Sequence, residues 1–219
     1  MISRRPGTAG SAASRRGARL ALLLLPVVVL AGCDAGSATA SAPGAAGEAP
    51  QPPAAAGAMA PNLAPAADGS LLLSWLEPDG DGHRLRVARF AGGEWGEPST
   101  VAAGDDFFAN WADVPSVVED GDGTLFAHWL ARLGGGTYAY GVELARSDDG
   151  GATWRQLGLL HADRSPTEHG FVTLLPTGSA VEAVWLDGRA TAGGGAMTLR
   201  ARRLGGGSAP GPEAVIDDA

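Results

Sequence analysis

One cysteine, no lysine and two tyrosines occur in 219 residues. With Cys33 the single cysteine, no intrachain disulfide can form, so the fold rests on packing and hydrogen bonds. The apolar run at residues 20–30 is too short to span a bilayer, and no helical periodicity of useful length follows residue 60. Cationic side chains are scarce as well. Beyond Cys33 there are eleven arginines against 24 carboxylates, a net charge of −13. That balance argues against a nucleic-acid partner and against a basic membrane-binding face.

What is present begins with an address. Arg4, Arg5, Arg15, Arg16 and Arg19 precede the apolar run, and Leu30-Ala31-Gly32-Cys33 fits a lipobox. Residues 1–33 therefore read as a lipoprotein signal, with Cys33 the lipidated residue and the membrane reached through that lipid. Residues 34–60 are almost wholly Ala, Gly, Pro and Ser, the composition of a disordered tether. A single domain is expected over residues 61–219.

Inside that domain a unit of about 55 residues recurs. Trp75, Trp129 and Trp185 are 54 and 56 residues apart, and each ends a pair of short apolar runs around an Asp-Gly or Thr-Gly turn. A second pair of runs follows each time. Four antiparallel strands per unit predict an all-β chain of about three four-stranded propeller blades, at approximately 61–103, 113–161 and 169–217. A β-sandwich is the alternative. Three blades would leave two end faces without a neighbour, so self-association of an open propeller is expected.

Residues 147–154 carry Ser147, Asp149, Gly151, Thr153 and Trp154 at the fixed positions of Ser-x-Asp-x-Gly-x-Thr-Trp. Each has a job in a tight hairpin: Ser and Asp bond the turn's backbone, Gly permits positive φ, and Trp folds back as a lid. The pattern resembles the Asp box of sialidases and related bacterial-neuraminidase-repeat propellers. That resemblance implies a sialidase-like β-propeller, here half of a six-bladed ring, and a glycosidase ancestry. Enzymes of that family bind a substrate carboxylate with three arginines and use a Tyr activated by a Glu, with an Asp as acid/base. Little of this carries over. The family's Arg-Ile-Pro motif is absent, and Tyr138 and Tyr140, in the third strand of the middle blade, are a poor place for an axial nucleophile.

Propeller connectivity puts the box on one face and the chemistry on the other. The opposite face gathers the loop leading into the second blade (Asp105, Asp106, Phe107, Phe108, Asn110, Trp111, Asp113), the loop leading into the third (His161, Asp163, Arg164, Glu168, His169), and Glu77, Asp79, Asp81, His83, Arg132, Asp187 and Arg189. Glu168, His169 and Asp113 are the acid–base candidates. Trp111, Asn110, Arg132, Asp187 and Arg189 are the candidate ligand contacts. Asp113 reads equally well as a turn cap, and Asp187 with Arg189 as a local ion pair. The Asp-Gly repeats at 79–82 and 120–123 are explained as strand turns, so no metal and no cofactor is expected.

These readings point to an exported, lipid-anchored, glycoside hydrolase-like propeller at the cell envelope, incomplete as an exo-glycosidase of the sialidase type. A non-catalytic module binding a glycan or an envelope protein is the alternative, and fold alone does not choose between them.

Overall fold

Short turns built on Asp-Gly pairs fold each repeat back on itself. Asp68 Oδ1 accepts hydrogen bonds from Ser70 N and Ser70 Oγ at 2.9 and 2.5 Å. Asp120 Oδ1 accepts from Asp122 N and Thr124 N at 3.0 and 2.9 Å. Gly69 and Gly123 take φ of 84° and 85°, which a side chain would strain. The structure, a computed structural model, describes residues 49–205 and 210–217. The signal at 1–33, Cys33 and residues 34–48 lie outside the described residues.

The result is all-β, with three antiparallel sheets in chain order forming the blades of a partial β-propeller. The first blade contains β1 (Met59–Pro65), β2 (Leu71–Asp79), β3 (Gly82–Ala91) and an outer strand in two pieces, β4 (Glu94–Trp95) and β5 (Ser99–Gly104). The second contains β6 (Ser116–Glu119), β7 (Leu125–Arg132), β8 (Tyr140–Ser147) and β9 (Arg155–Leu159). The third contains β10 (His169–Pro176), β11 (Ala180–Asp187), β12 (Thr198–Gly205) and β13 (Glu213–Asp217). One 3-10 turn, Thr191–Gly193, is the helical exception among the described residues.

Period-two alternation sends β7 into both interblade layers. Leu125, Ala127 and Trp129 pack with Leu72, Leu76, Leu85 and Val87 of the first blade. Phe126 and Leu130 pack with Val181, Ala183 and Trp185 of the third. The three tryptophans hold the same register, opposite Arg86, Glu143 and Arg200. Trp129 and Trp185 thus each face the preceding blade.

No blade precedes Trp75 among the described residues, yet it is only 2% exposed. Residues 49–58, assigned by composition to the tether, lie on that side. Pro50 O accepts the Trp95 indole N–H at 3.1 Å, Ala55 N donates to Glu77 Oε1 at 3.0 Å, and Gly57 sits against Pro78. Glu77 Oε1 also accepts the Trp75 indole N–H at 2.8 Å. An N-terminal strap therefore occupies the surface where a neighbouring blade would pack. The far side of the third blade is reduced differently. Positions that carry Phe126 and Leu144 in the second blade carry Glu182 and Ala201, and Glu182 pairs with Arg203 at 3.1 Å. One of the two end faces expected to be bare is thus overlain by the strap, while the far side of the third blade keeps Leu175 55% exposed opposite Glu182.

The hairpin between β8 and β9 follows its sequence pattern atom by atom. Ser147 Oγ accepts Gly151 N at 2.8 Å, while Asp149 accepts Thr153 N at 2.9 Å and Thr153 Oγ1 at 2.6 Å. Those bonds, Thr153's side chain foremost, hold the Asp149 carboxyl at about 2. Trp154 closes over the turn, its indole N–H 3.1 Å from Gly151 O and 3.5 Å from Ser99 Oγ of the first blade. Its work is to lock one blade to another.

Candidate functional site

On the opposite face, the loop ahead of β6 lies along the free end of β7. Phe108 N donates to Leu130 O at 2.9 Å and Arg132 N to Asp106 O at 2.8 Å. This pairing turns Phe107 inward, where it stacks on Trp129 at 5.9 Å. Phe108 turns the other way and stacks on Tyr140 at 4.2 Å and 12°. The Arg132 guanidinium lies 5.0 Å from the Phe108 ring centroid, and no ion pair engages it among the described residues. The loop then tightens. Asn110 Oδ1 accepts both Ala112 N and Asp113 N at 2.8 Å, a turn that leaves Trp111 91% exposed at its tip.

The same turn buries Asp113. Its Oδ2 accepts Phe171 N at 2.5 Å, across from the second blade to the third. Phe171 sits in a bulge of β10 with φ 52°, a conformation uncommon for an aromatic residue and held here by that carboxylate. Burial raises the Asp113 pKa and the charge of Glu168 adds to the rise, against the pull of two backbone N–H groups. Glu168 Oε1 accepts the Tyr140 hydroxyl at 2.6 Å. Burial first, then Glu168 and Asp113, push the Tyr140 phenol up, so it stays protonated. Gly170 makes room for the cluster, since a Cβ there would lie 2.2 Å from Asp113 Oδ2 and 2.9 Å from the Tyr140 ring. Gly170→Ala is expected to cost about 1–3 kcal/mol of stability, measurable by urea denaturation, and to displace Asp113 from Phe171.

Glu168 and His169 do not form a pair. Adjacent residues of an extended segment point to opposite sides, and His169 is fully buried away from Tyr140's hydroxyl. Its Nδ1 donates to Thr167 O at 3.1 Å, while Nε2 lies 3.1 Å from Asp163 Oδ2 and 3.8 Å from Asp187 Oδ1. His161 stacks on it at 3.9 Å and 8°. Val142 N donates to His161 Nε2 at 3.1 Å, so the proton of His161 sits on Nδ1, bonded to Asp163 O at 2.6 Å. Burial, then the neighbouring His169, lowers the His161 pKa to about 4.

Asp187 and Arg189 belong to this second network rather than to the cluster. Asp187 takes a bidentate grip from Arg189 at 2.6 and 2.7 Å and the Trp185 indole N–H at 2.9 Å. Burial opposes ionisation, but these donors outweigh it and hold the carboxyl at about 2. Arg189 continues to Glu213 at 2.9 Å, and Glu213 accepts Ala162 N. Arg189 thus ties the Asp187 strand to the outer strand and, through Glu213, to Ala162 on the loop that carries Glu168.

Of the residues expected at the site, Asp113, Glu168, Arg132, Trp111 and Asn110 are brought to one face around Tyr140. His169, Asp187 and Arg189 stand behind it. Sequence reasoning placed Tyr140 by its strand and overlooked which end of the strand it occupies. As the first residue of β8 it emerges from the loop that also carries Arg132. Gly170 went unassigned, while Phe108, expected on this face beside Trp111 to stack on a sugar or cover the axis, stacks on Tyr140 instead.

No protein-family model matches this chain, and no curated protein matches it. Among solved structures it is similar to an alpha-L-arabinanase of Penicillium chrysogenum complexed with arabinobiose, at 17% identity and a TM-score of 0.49, covering 72% of this chain and 49% of that one. An alpha-L-arabinofuranosidase from Fusarium graminearum gives 16% identity and a TM-score of 0.49, over 74% of this chain and 48% of the other. An endo-arabinase from Bacteroides thetaiotaomicron gives 14% and 0.44, over 70% and 57%. The chain spans about half the length of the solved structures it resembles.

Proposed function

We propose that this chain is a carbohydrate-recognising propeller segment of glycoside hydrolase-like type, held at the cell envelope by a lipid on Cys33. One observation carries the reading. Every exposed aromatic side chain among the described residues, Trp111, Tyr138 and Phe171, lies within two positions of a member of the Asp113–Tyr140–Gly170 cluster. Exposed rings beside carboxylates and an unpaired guanidinium suit a sugar, whose C–H face stacks on an aromatic while its hydroxyls bond the polar groups.

Hydrolysis of the sialidase type fits this chain less well. Tyr140 is buried, its hydroxyl is spent on a hydrogen bond to Glu168, and burial first, then the nearby carboxyls, keep it protonated. The raised pKa of Asp113 beside Glu168 is the one feature that favours acid–base work. The expected result is saturable binding of neutral oligosaccharides, read by intrinsic fluorescence and lost in Trp111→Ala, with no release from fluorogenic sialosides or arabinofuranosides. Turnover abolished by Glu168→Gln would establish the catalytic reading instead.

A further inference from the structure

Three exposed rings do not make one pocket here. Trp111 stands on the loop ahead of β6, Tyr138 on the loop between β7 and β8, and Phe171 on the bulge of β10. Among the described residues none of them stacks on another ring, and neither Trp111 nor Tyr138 spends its polar atom on a hydrogen bond. Their exposures are 91%, 65% and 48%, far more open than a ring closed over a terminal sugar. Phe171 is also presented at a cost, since its positive φ is imposed by the Asp113 bond to its N–H. On the same loops stand Arg132, exposed and without an ion pair among the described residues, and the half-buried carboxyl of Glu168.

We propose that this face binds an extended, neutral oligosaccharide chain along several sugar units, with Trp111, Tyr138 and Phe171 as separate stacking platforms and Arg132 and Glu168 as its polar contacts. The inference rests on the carbohydrate reading above and adds to it the length and charge of the ligand. Separate platforms on three elements contribute to affinity only when successive units reach them, so binding must grow with chain length. Neutral charge follows from the surroundings. Asp105, Asp106, Asp113, Asp163 and Glu168 crowd the same loops against Arg132 and Arg164, and a polyanion would be repelled.

The test is titration of the exported chain with cello-, xylo- and arabino-oligosaccharides of about one to six units, followed by Trp fluorescence and calorimetry, with an oligogalacturonate and a sialyl-lactose beside them. For at least one neutral series, affinity is expected to rise about tenfold for each further platform reached, then level off. Tyr138→Ala and Phe171→Ala should each lower affinity for the long ligand about tenfold and leave the shortest bound ligand unchanged. Phe171→Gly keeps the backbone conformation and should match Phe171→Ala, which separates loss of the ring from loss of fold. Affinity independent of length, or tighter binding of the acidic ligands, overturns this proposal while leaving a sugar site in place. Failure of every carbohydrate to bind overturns the carbohydrate reading itself.

Discussion

A chain that starts at Met59 is expected to lose about 3 kcal/mol of stability, the scale of exposing one large buried side chain. Trp75 is 2% exposed on a face that carries no neighbouring blade among the described residues, and the strap residues 49–58 lie on that face. They also supply the N–H that Glu77 Oε1 accepts alongside the Trp75 indole. Without them an indole, Phe90 and Trp95 would form an apolar patch beside a half-satisfied buried carboxylate. The shortened chain should therefore self-associate as well as unfold more easily. Urea denaturation with sedimentation velocity reads both quantities. Unchanged stability and an unchanged sedimentation coefficient would show that the strap covers nothing of consequence.

Acid is expected to unfold the protein through two buried histidines. His128 is fully buried with neither ring nitrogen bonded, and burial lowers its pKa to about 3. His161 is lowered to about 4 and already uses its Nε2 as an acceptor. For both, the folded-state value lies below the unfolded 6.5, so the unfolded chain takes up the proton first. Stability is then complete above pH 6.5 and falls as pH drops through that value. At pH 5 each histidine is expected to have removed roughly 2 kcal/mol. Asp113 and Glu143 are shifted upward, chiefly by burial, and bind protons preferentially in the folded chain. Their opposing contribution grows toward the carboxylate range, which leaves pH 6.5 to 5 as the cleanest window. His128→Leu should remove about half of the pH slope in that window. A flat profile between pH 7 and 5 would contradict the neutral, desolvated state assigned to these rings.

The two effects mark where sequence reasoning reached and where it stopped. The turn at Ser147, Asp149 and Thr153 was legible because its bonds join residues two to four positions apart. The blade repeat was legible because Trp75, Trp129 and Trp185 must recur wherever one sheet packs on another. The strap gave no such signal. Its Ala-Pro-Gly composition matches a tether, and its partners at Glu77 and Trp95 are 22 and 45 residues away. Nor could Tyr140 be placed from its strand. Whether its ring met the axis or the rim depended on the register of β7 with β8, which starts Tyr140 opposite Arg132. Glu168 and His169 looked like one acid–base unit as neighbours in sequence, but extension of the backbone sends them to different networks.

The blade pattern also exposes one substitution that repeat matching alone would hide. In the first and third blades an acid follows the tryptophan by two positions, Glu77 and Asp187, and an arginine faces it, Arg86 or Arg200. The second blade has Ala131 and Glu143 at those positions. At that level β7 takes the loop segment at Phe107 and Phe108 as its neighbour.

Sugar binding to this face of the second and third blades is read out by the indole N–H signals of all six tryptophans, followed by ¹H–¹⁵N correlation while a neutral oligosaccharide is added. A saturating shift of the Trp111 signal is expected, with Trp75, Trp95, Trp154 and Trp185 held by their internal hydrogen bonds and unmoved. Shifts at Trp95 or Trp154 with Trp111 silent would move the ligand to another surface and contradict binding at this face.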